Sequence, residues 1–243
     1  VFIRRDGSII MKNLFKRIFC IFLAVVFTVL LCIQAEASGN VIYSGADGCG
    51  KRIAITFDDG PHPKKTAEIL DFLAENSVHA TFFVVGENAK YYPDLIMREA
   101  AEGHEIGNHT YHHKAMRKCK DGEEKCEITE ASDMIKSITG KSPVLFRPPE
   151  GSYSSSTVEL ARSCGCDVVL WNVDTRDWAM SKTDEIVANV KKNVRDGSII
   201  LFHDFTRDGA HTLDALKILL PYLISKGYEF VTVSELIREK SLS

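Results

Sequence analysis

The sequence predicts a distorted, shortened (β/α) barrel forming a single domain, and three observations predict it. From Lys51 onward, apolar strands alternate with amphipathic helices about seven times with no linker between them, the pattern of parallel strands joined by helical crossovers. A doubly wound open sheet shares that pattern. What separates the two is that Asp58/Asp59, His109/His113, Arg147, Asp174/Asp177 and His203 each come directly after a strand. In a barrel those strand ends converge on one face, where active sites of this architecture lie. The length sets the third constraint, because about 190 residues is small for the eightfold barrel, which takes ~250.

The elements follow in order. Lys51–Phe57 is a strand, alternating and β-branched, stopped by Gly60-Pro61. Successive strand side chains face opposite ways, so Asp58 and Asp59 are expected in different environments. A helix over Thr66–Asn76 turns Ile69, Leu70, Phe72 and Leu73 inward, and Ala80–Val85 is a near-continuous apolar run, the mark of a strand buried on both faces. Pro93 opens a helix to about Glu102, ended by Gly103. Glu105–Gly107 is a short strand that delivers Asn108-His109-Thr110-Tyr111-His112-His113.

A helix over Glu123–Thr139 closes at Gly140, and Pro143–Phe146 is a strand ending in Arg147-Pro148-Pro149-Glu150-Gly151. Ser155–Ser163 is helical. Val168–Val173 reads as one strand ending in Asp174-Thr175-Arg176-Asp177-Trp178. Thr183 reads as the N-cap of a helix to Val194. Ser198–Phe202 is a strand before His203-Asp204, and Leu213–Ser225 a helix bent or broken at Pro221. Glu229–Val233 and Ser234–Glu239 are a last strand and a short closing helix.

Composition bounds the function. Of 243 residues 45% are hydrophobic and 26% charged, and a net charge of -3 with no basic run in the body of the chain argues against a nucleic-acid partner. The N-terminus differs. Lys12, Lys16 and Arg17 precede an apolar run over Ile18–Ile33 and then Ala35-Glu36-Ala37, the parts of a secretory signal peptide. The run is shorter than the ~20 residues of a spanning helix. Residues 1–37 are therefore read as upstream residues, with Met11 as the start, plus a signal peptide or an N-terminal anchor. Residues 38–50 are a short segment and 51–240 the catalytic domain. A secreted monomer follows, touching membrane only through the N-terminal segment if that is retained. Cys49, Cys119, Cys126, Cys164 and Cys166 remain after residue 37, an odd number that cannot pair completely within one chain. Cys119 and Cys126 are the candidate bridge. The absence of any Cys-x-x-Cys argues against a structural zinc cluster.

Each chemical signal is weak alone. Asp-Asp-Gly-Pro is good turn chemistry on any loop, His-x-x-x-His is more often incidental, an Arg before Pro-Pro is a surface ion pair, and a histidine after an apolar strand is a satisfied core residue. On a helical turn His109 and His113 would share a face. Adding one carboxylate gives the ligand set of an open catalytic zinc site, which also serves iron, cobalt or manganese.

Taken together, Thr56-Phe57-Asp58-Asp59-Gly60, His109-Thr110-x-x-His113, Arg147-Pro148-Pro149-x-Gly151, Asp174-x-x-Asp177-Trp178 and Leu201-x-His203 closely resemble the five motifs of the polysaccharide deacetylases, the NodB homology domain of carbohydrate esterase family 4. The resemblance spans about Lys51 to Ile237. It implies a distorted barrel that removes N-acetyl groups from cell-wall or extracellular aminosugar polymers with a divalent metal, zinc first, cobalt or manganese next. It assigns Asp59, His109 and His113 to the metal, with His112 the competing neighbour. Asp58 becomes the general base paired with Arg147, and His203 the acid held by Asp177, with Asp174 as runner-up. Trp178 and Leu201 line the acetyl pocket unless they are plain core, and Pro149 and Glu150 are substrate-binding. The backbone N–H after Arg-Pro-Pro serves the oxyanion. Glu150 departs from the family, where tyrosine is common, and that bears on which sugar binds. Peptidoglycan is the expected polymer, with chitooligosaccharide or exopolysaccharide the alternative. A non-catalytic sugar-binding module is disfavoured because base, acid and ligands are all present.

Overall fold

The computed structural model describes residues 41–45, 48–179, 182–206 and 211–238. The expected signal or anchor segment and Glu239 lie outside them. Among the described residues no helix is long and apolar enough to cross a membrane.

The core is a curled parallel sheet. β1 (Arg52–Asp58) lies at its centre, buried along its length from Ile53 to Asp58. β2 (Thr81–Val84) pairs with one edge of β1 and β7 (Ile199–His203) with the other, both parallel. β3 (Glu105–Asn108), β4 (Leu145–Phe146) and β5 (Asp167–Val168) extend the β2 side, and β6 (Val173–Asp174) extends the β7 side. β8 (Glu229–Phe230) pairs with the start of β1. Strands this apolar form because both faces are covered. Phe57, Phe82 and Phe202 stack with centroids 5.0 and 5.9 Å apart inside the largest apolar cluster.

Helices cover the outside. α1 (Lys65–Glu75) buries Ile69, Leu70 and Leu73, and α2 (Gly86–Tyr91) and α3 (Pro93–Ala101) cross from β2 to β3. α4 (Glu123–Thr139), α5 (Ser155–Ser163), α6 (Thr183–Asn193), α7 (Thr212–Ser225) and α8 (Val233–Arg238) follow. α5 starts on a capping box in which Ser154 Oγ accepts from the Thr157 backbone N–H.

Several boundaries differ from expectation. The single strand over Val168–Val173 is two short strands on opposite sides of the sheet path, because the chain leaves β4 at Val169 and joins β7 only at Val173. Residues 42–44 bridge part of this interval: Ile42 pairs with Val169 and Ser44 with Ser198. Lys182, not Thr183, is the N-cap of α6. α7 runs unbroken through Pro221. The last strand stops at Phe230, and Val233 already opens α8. Cys119 and Cys126 carry free thiols rather than a bridge, as do Cys164 and Cys166.

Candidate active site

The carboxyl ends of β1, β3, β4, β6 and β7 surround a cavity of about 430 Å3. Asp58, Asp59, His109, His113 and His203 reach it, with Trp171, Trp178 and Leu201 as apolar wall and Glu150 and Asp174 as acidic wall.

Asp58 ends β1 in the parallel register, opposite Phe83 of β2 and His203 of β7, and is buried. Asp59 then leaves the strand at φ 78, a left-handed conformation that a non-glycine residue rarely adopts. The Asn88 side-chain amide donates to its carbonyl at 2.7 Å and holds that turn. Gly60 is required for space: a Cβ there would lie 2.1 Å from Asp204 Oδ2. The two carboxylates differ in environment, Asp58 buried and Asp59 partly exposed, but through the turn rather than the strand pleat, and both reach the same cavity.

Arg147 sits behind Asp58, wholly buried. One terminal nitrogen donates to Asp58 Oδ1 at 2.7 Å and to Thr56 Oγ1 at 2.8 Å, the other to the Leu170 carbonyl at 3.0 Å, and Nε to Val169 at 3.3 Å. Its guanidinium lies 3.9 Å from the Phe83 ring centroid. A buried cation persists only when paired and hydrogen-bonded in this way. The Arg147 carbonyl meets His109 Nδ1 at 2.6 Å, which occupies that nitrogen and leaves Nε2 as the ring's outward-facing donor atom.

His109 and His113 are not on a helical turn. They follow β3 in a loop with Thr110 at φ 66 and His113 at φ 54, pinned by backbone bonds from Gly86 and Glu87 to the carbonyls of Thr110 and Tyr111. Buried Glu127 of α4 accepts the N–H groups of Tyr111 and His112 at 3.0 and 2.8 Å and binds His112 Nδ1 at 2.9 Å. His112 is thereby turned away and His113 turned in. His109 Nε2 and His113 Nε2 lie 3.4 and 3.0 Å from Asp59 Oδ1, a buried oxygen with no hydrogen bond of acceptable geometry. One ligand atom from each of Asp59, His109 and His113 falls within 4.8 Å of the others, a donor set that fits a divalent cation. Burial acts to raise the Asp59 carboxyl's pKa, and the two imidazoles outweigh it, holding it well below the usual carboxylate range. The same carboxylate raises His113.

Asp177, not Asp174, partners His203. Its Oδ1 meets His203 Nδ1 at 2.8 Å and its Oδ2 accepts the His203 backbone N–H at 2.9 Å and the Thr212 hydroxyl at 2.8 Å. Burial of the ring acts to lower its pKa, but the Asp177 hydrogen bond and charge lift His203 to about 9. Asp174 instead accepts the Arg176 N–H at 2.8 Å and faces the cavity. Trp178 is 54% exposed, so it is no core residue, whereas Leu201 is buried yet still lines the wall. Pro149 is buried off the wall, in the turn that presents Glu150.

Trp171 and Asp204 escaped the sequence reading. Trp171 sits in the interval between β5 and β6, mistaken for strand. Asp204 donates its N–H to the Asp58 carbonyl at 3.2 Å and accepts from Thr66 Oγ1 at 2.5 Å. Burial raises its carboxyl to about 7. Only the Gly60 contact would have signalled it.

The sequence and the fold both match known proteins. The polysaccharide deacetylase family model matches residues 45–169. A peptidoglycan-N-acetylglucosamine deacetylase of Bacillus cereus is 40% identical over 213 residues, covering 87% of this chain and 99% of the relative. A crystal structure of a peptidoglycan N-acetylglucosamine deacetylase bound to 4-naphthalen-1-yl-N-oxidanyl-benzamide superposes with a TM-score of 0.78 at 36% identity, covering 82% of this chain and 92% of that one. A family 4 acetyl xylan esterase of Clostridium thermocellum in complex with a cobalt ion gives a TM-score of 0.72 at 36% identity, covering 79% and 93%.

Proposed function

Because the chain belongs to the polysaccharide deacetylase family and is a deacetylase hydrolase, we propose that it removes the N-acetyl group from N-acetylglucosamine of peptidoglycan, outside the cytoplasm, as a monomer using a divalent cation. The observation that carries the polymer is the 40% identity, across 99% of the relative's length, to an enzyme named for that substrate. The N-terminal charge and apolar pattern supports export.

Asp59, His109 and His113 would hold the cation, zinc before cobalt or manganese. Such an ion lowers the pKa of water and polarises an acyl carbonyl. Asp58 takes the proton of the attacking water on Oδ2, since Oδ1 is engaged by Arg147. The Glu150 backbone N–H, on the turn after Arg147, steadies the developing oxyanion. His203 delivers a proton from Nε2 to the leaving nitrogen while Asp177 holds Nδ1. Trp178, Leu201 and Trp171 give the acetyl methyl an apolar wall.

The test is mass spectrometry of defined muropeptides and chitooligosaccharides after incubation with metal-stripped protein and with protein reconstituted with each ion. Acetyl loss from the glucosamine of muropeptides is expected only with metal. Loss from chitooligosaccharides alone would move the assignment to that polymer, and loss from neither would overturn it.

A further inference from the structure

Two carboxylates of the cavity take no part in the chemistry. Asp58 is matched by Arg147, Asp59 with His109 and His113 would hold the cation, and His203 has Asp177 behind it. That leaves Glu150 and Asp174 on the wall. Asp174 is engaged by one backbone N–H. Glu150 is met at 3.3 Å by Lys118, with the two side chains 58% and 69% exposed, so the pair is heavily screened and its partner offsets little of the charge.

The backbone fixes where that charge sits. Glu150 stands at φ 59 inside the tight turn Pro149–Gly151, directly after Arg147-Pro148, and Gly151 follows at φ 61. A Cβ on Gly151 would come within 3.2 Å of the Trp171 ring, so the turn is seated against the cavity wall. The turn thus sets where the Glu150 side chain leaves the backbone, and the residue lines the cavity wall. Lys118 reaches it from the short helical turn Met116–Lys118, in the loop that also supplies His113.

We propose that Glu150 is a specificity-determining residue that selects against an N-acetyl sugar whose neighbouring unit carries a free carboxylate. The proposal rests on the peptidoglycan reading above. In that polymer the neighbour's lactyl group is uncharged at the ring when it is amide-linked to peptide, and becomes a carboxylate once the peptide is removed. A fixed carboxylate at the mouth repels the second form and tolerates the first. Strands stripped by an amide-hydrolysing enzyme would then be the poorer substrate.

The test uses two tetrasaccharides of alternating N-acetylglucosamine and N-acetylmuramic acid, identical except that the lactyl groups are carboxylates in one and primary amides in the other. The ratio of kcat/KM for carboxylate over amide is measured with metal-loaded wild type, Glu150→Gln and Lys118→Ala. The ratio is expected to rise about threefold to tenfold in Glu150→Gln and to move far less in Lys118→Ala, whose charge is screened. The Glu150→Gln change should shrink as salt rises from about 0.01 M to about 1 M, over which the screening length falls from ~30 to ~3 Å. A ratio that stays at the wild-type value in Glu150→Gln, or a change that ignores salt, overturns the charge selection and leaves the deacetylase reading standing. Failure of wild type to release acetate from either tetrasaccharide overturns both.

Discussion

Two buried charged side chains show how differently this protein treats its interior. Arg147, behind Asp58, has every nitrogen engaged and an aromatic ring beneath it. Glu99, on α3, is equally buried, yet neither carboxyl oxygen has a hydrogen-bond partner among the described residues. Burial drives the Glu99 carboxyl's pKa well above its ordinary range, with the nearby Asp204 charge acting the same way. The contrast is between a buried charge whose every nitrogen is hydrogen-bonded and a buried acid whose oxygens have no partner among the described residues.

Breaking the paired side should have the largest effect. Arg147→Ala leaves Asp58 buried without its cation, and loss of about 3–5 kcal/mol is expected from denaturant melts, together with loss of activity. Next come the two aspartates. Asp59→Asn should lose the cation, read by equilibrium dialysis and elemental analysis, while Asp58→Asn should bind it stoichiometrically and fall at least ~100-fold in kcat. Retention of more than a few per cent of the rate by Asp58→Asn would remove it as base.

His203 sharpens the comparison through pH. With its pKa raised to about 9, the protonated ring persists well above neutrality, so the alkaline limb of kcat/KM should lie near that value. Asp177→Asn removes the group that lifts it and should move the limb down, whereas Asp174→Asn should not, since Asp174 does not touch the ring. The stability linked to His203 has the same sign: it is fully present below about 6.5 and is lost as pH rises through about 9.

The unpaired side gives a smaller effect of opposite sense. A carboxyl whose folded pKa is raised stabilises most when protonated in both states, below about 4.3, and stability then falls with pH until the folded pKa is passed. Glu99→Gln should abolish that fall, gaining on wild type by at most about 1.4 kcal/mol per pH unit above pH 4.3. Melts at several pH values decide it, and parallel curves for the two proteins would contradict the raised pKa of Glu99. Smallest of all, His112→Ala should keep the cation and cost about 0–1 kcal/mol, because its ring meets Glu127 at a half-exposed site.

Much of this was legible in the sequence because the signals are periodic. Buried strands read as apolar runs, and the chemical residues sit where those runs end. What was not legible depends on contacts distant in sequence. The turn between His109 and His113 is set by Glu127, and nothing in His-x-x-x-His distinguishes a helix from a loop with two positive φ values. Asp177 was ranked over Asp174 by the family resemblance alone, and the physical reason is that Thr212 and His203 converge on Asp177. α2 went unnoticed because six residues, half of them polar, carry too short a pattern. Leu170 and Trp171 sit in an apolar stretch that looks like strand. The chain there instead crosses from β5 to β6 with its carbonyls turned to Arg147.

Arg147 also sets the terms on which this scaffold can be re-engineered. Its side chain holds Asp58 and its carbonyl holds His109, so one residue fastens the base and a cation ligand at once. Loops transplanted from relatives to change the sugar preference can begin after Gly151 and leave both fastenings intact. A graft whose junction falls before residue 147 replaces the keystone along with the rim, and the recipient has to rebuild both halves of the site from the incoming backbone.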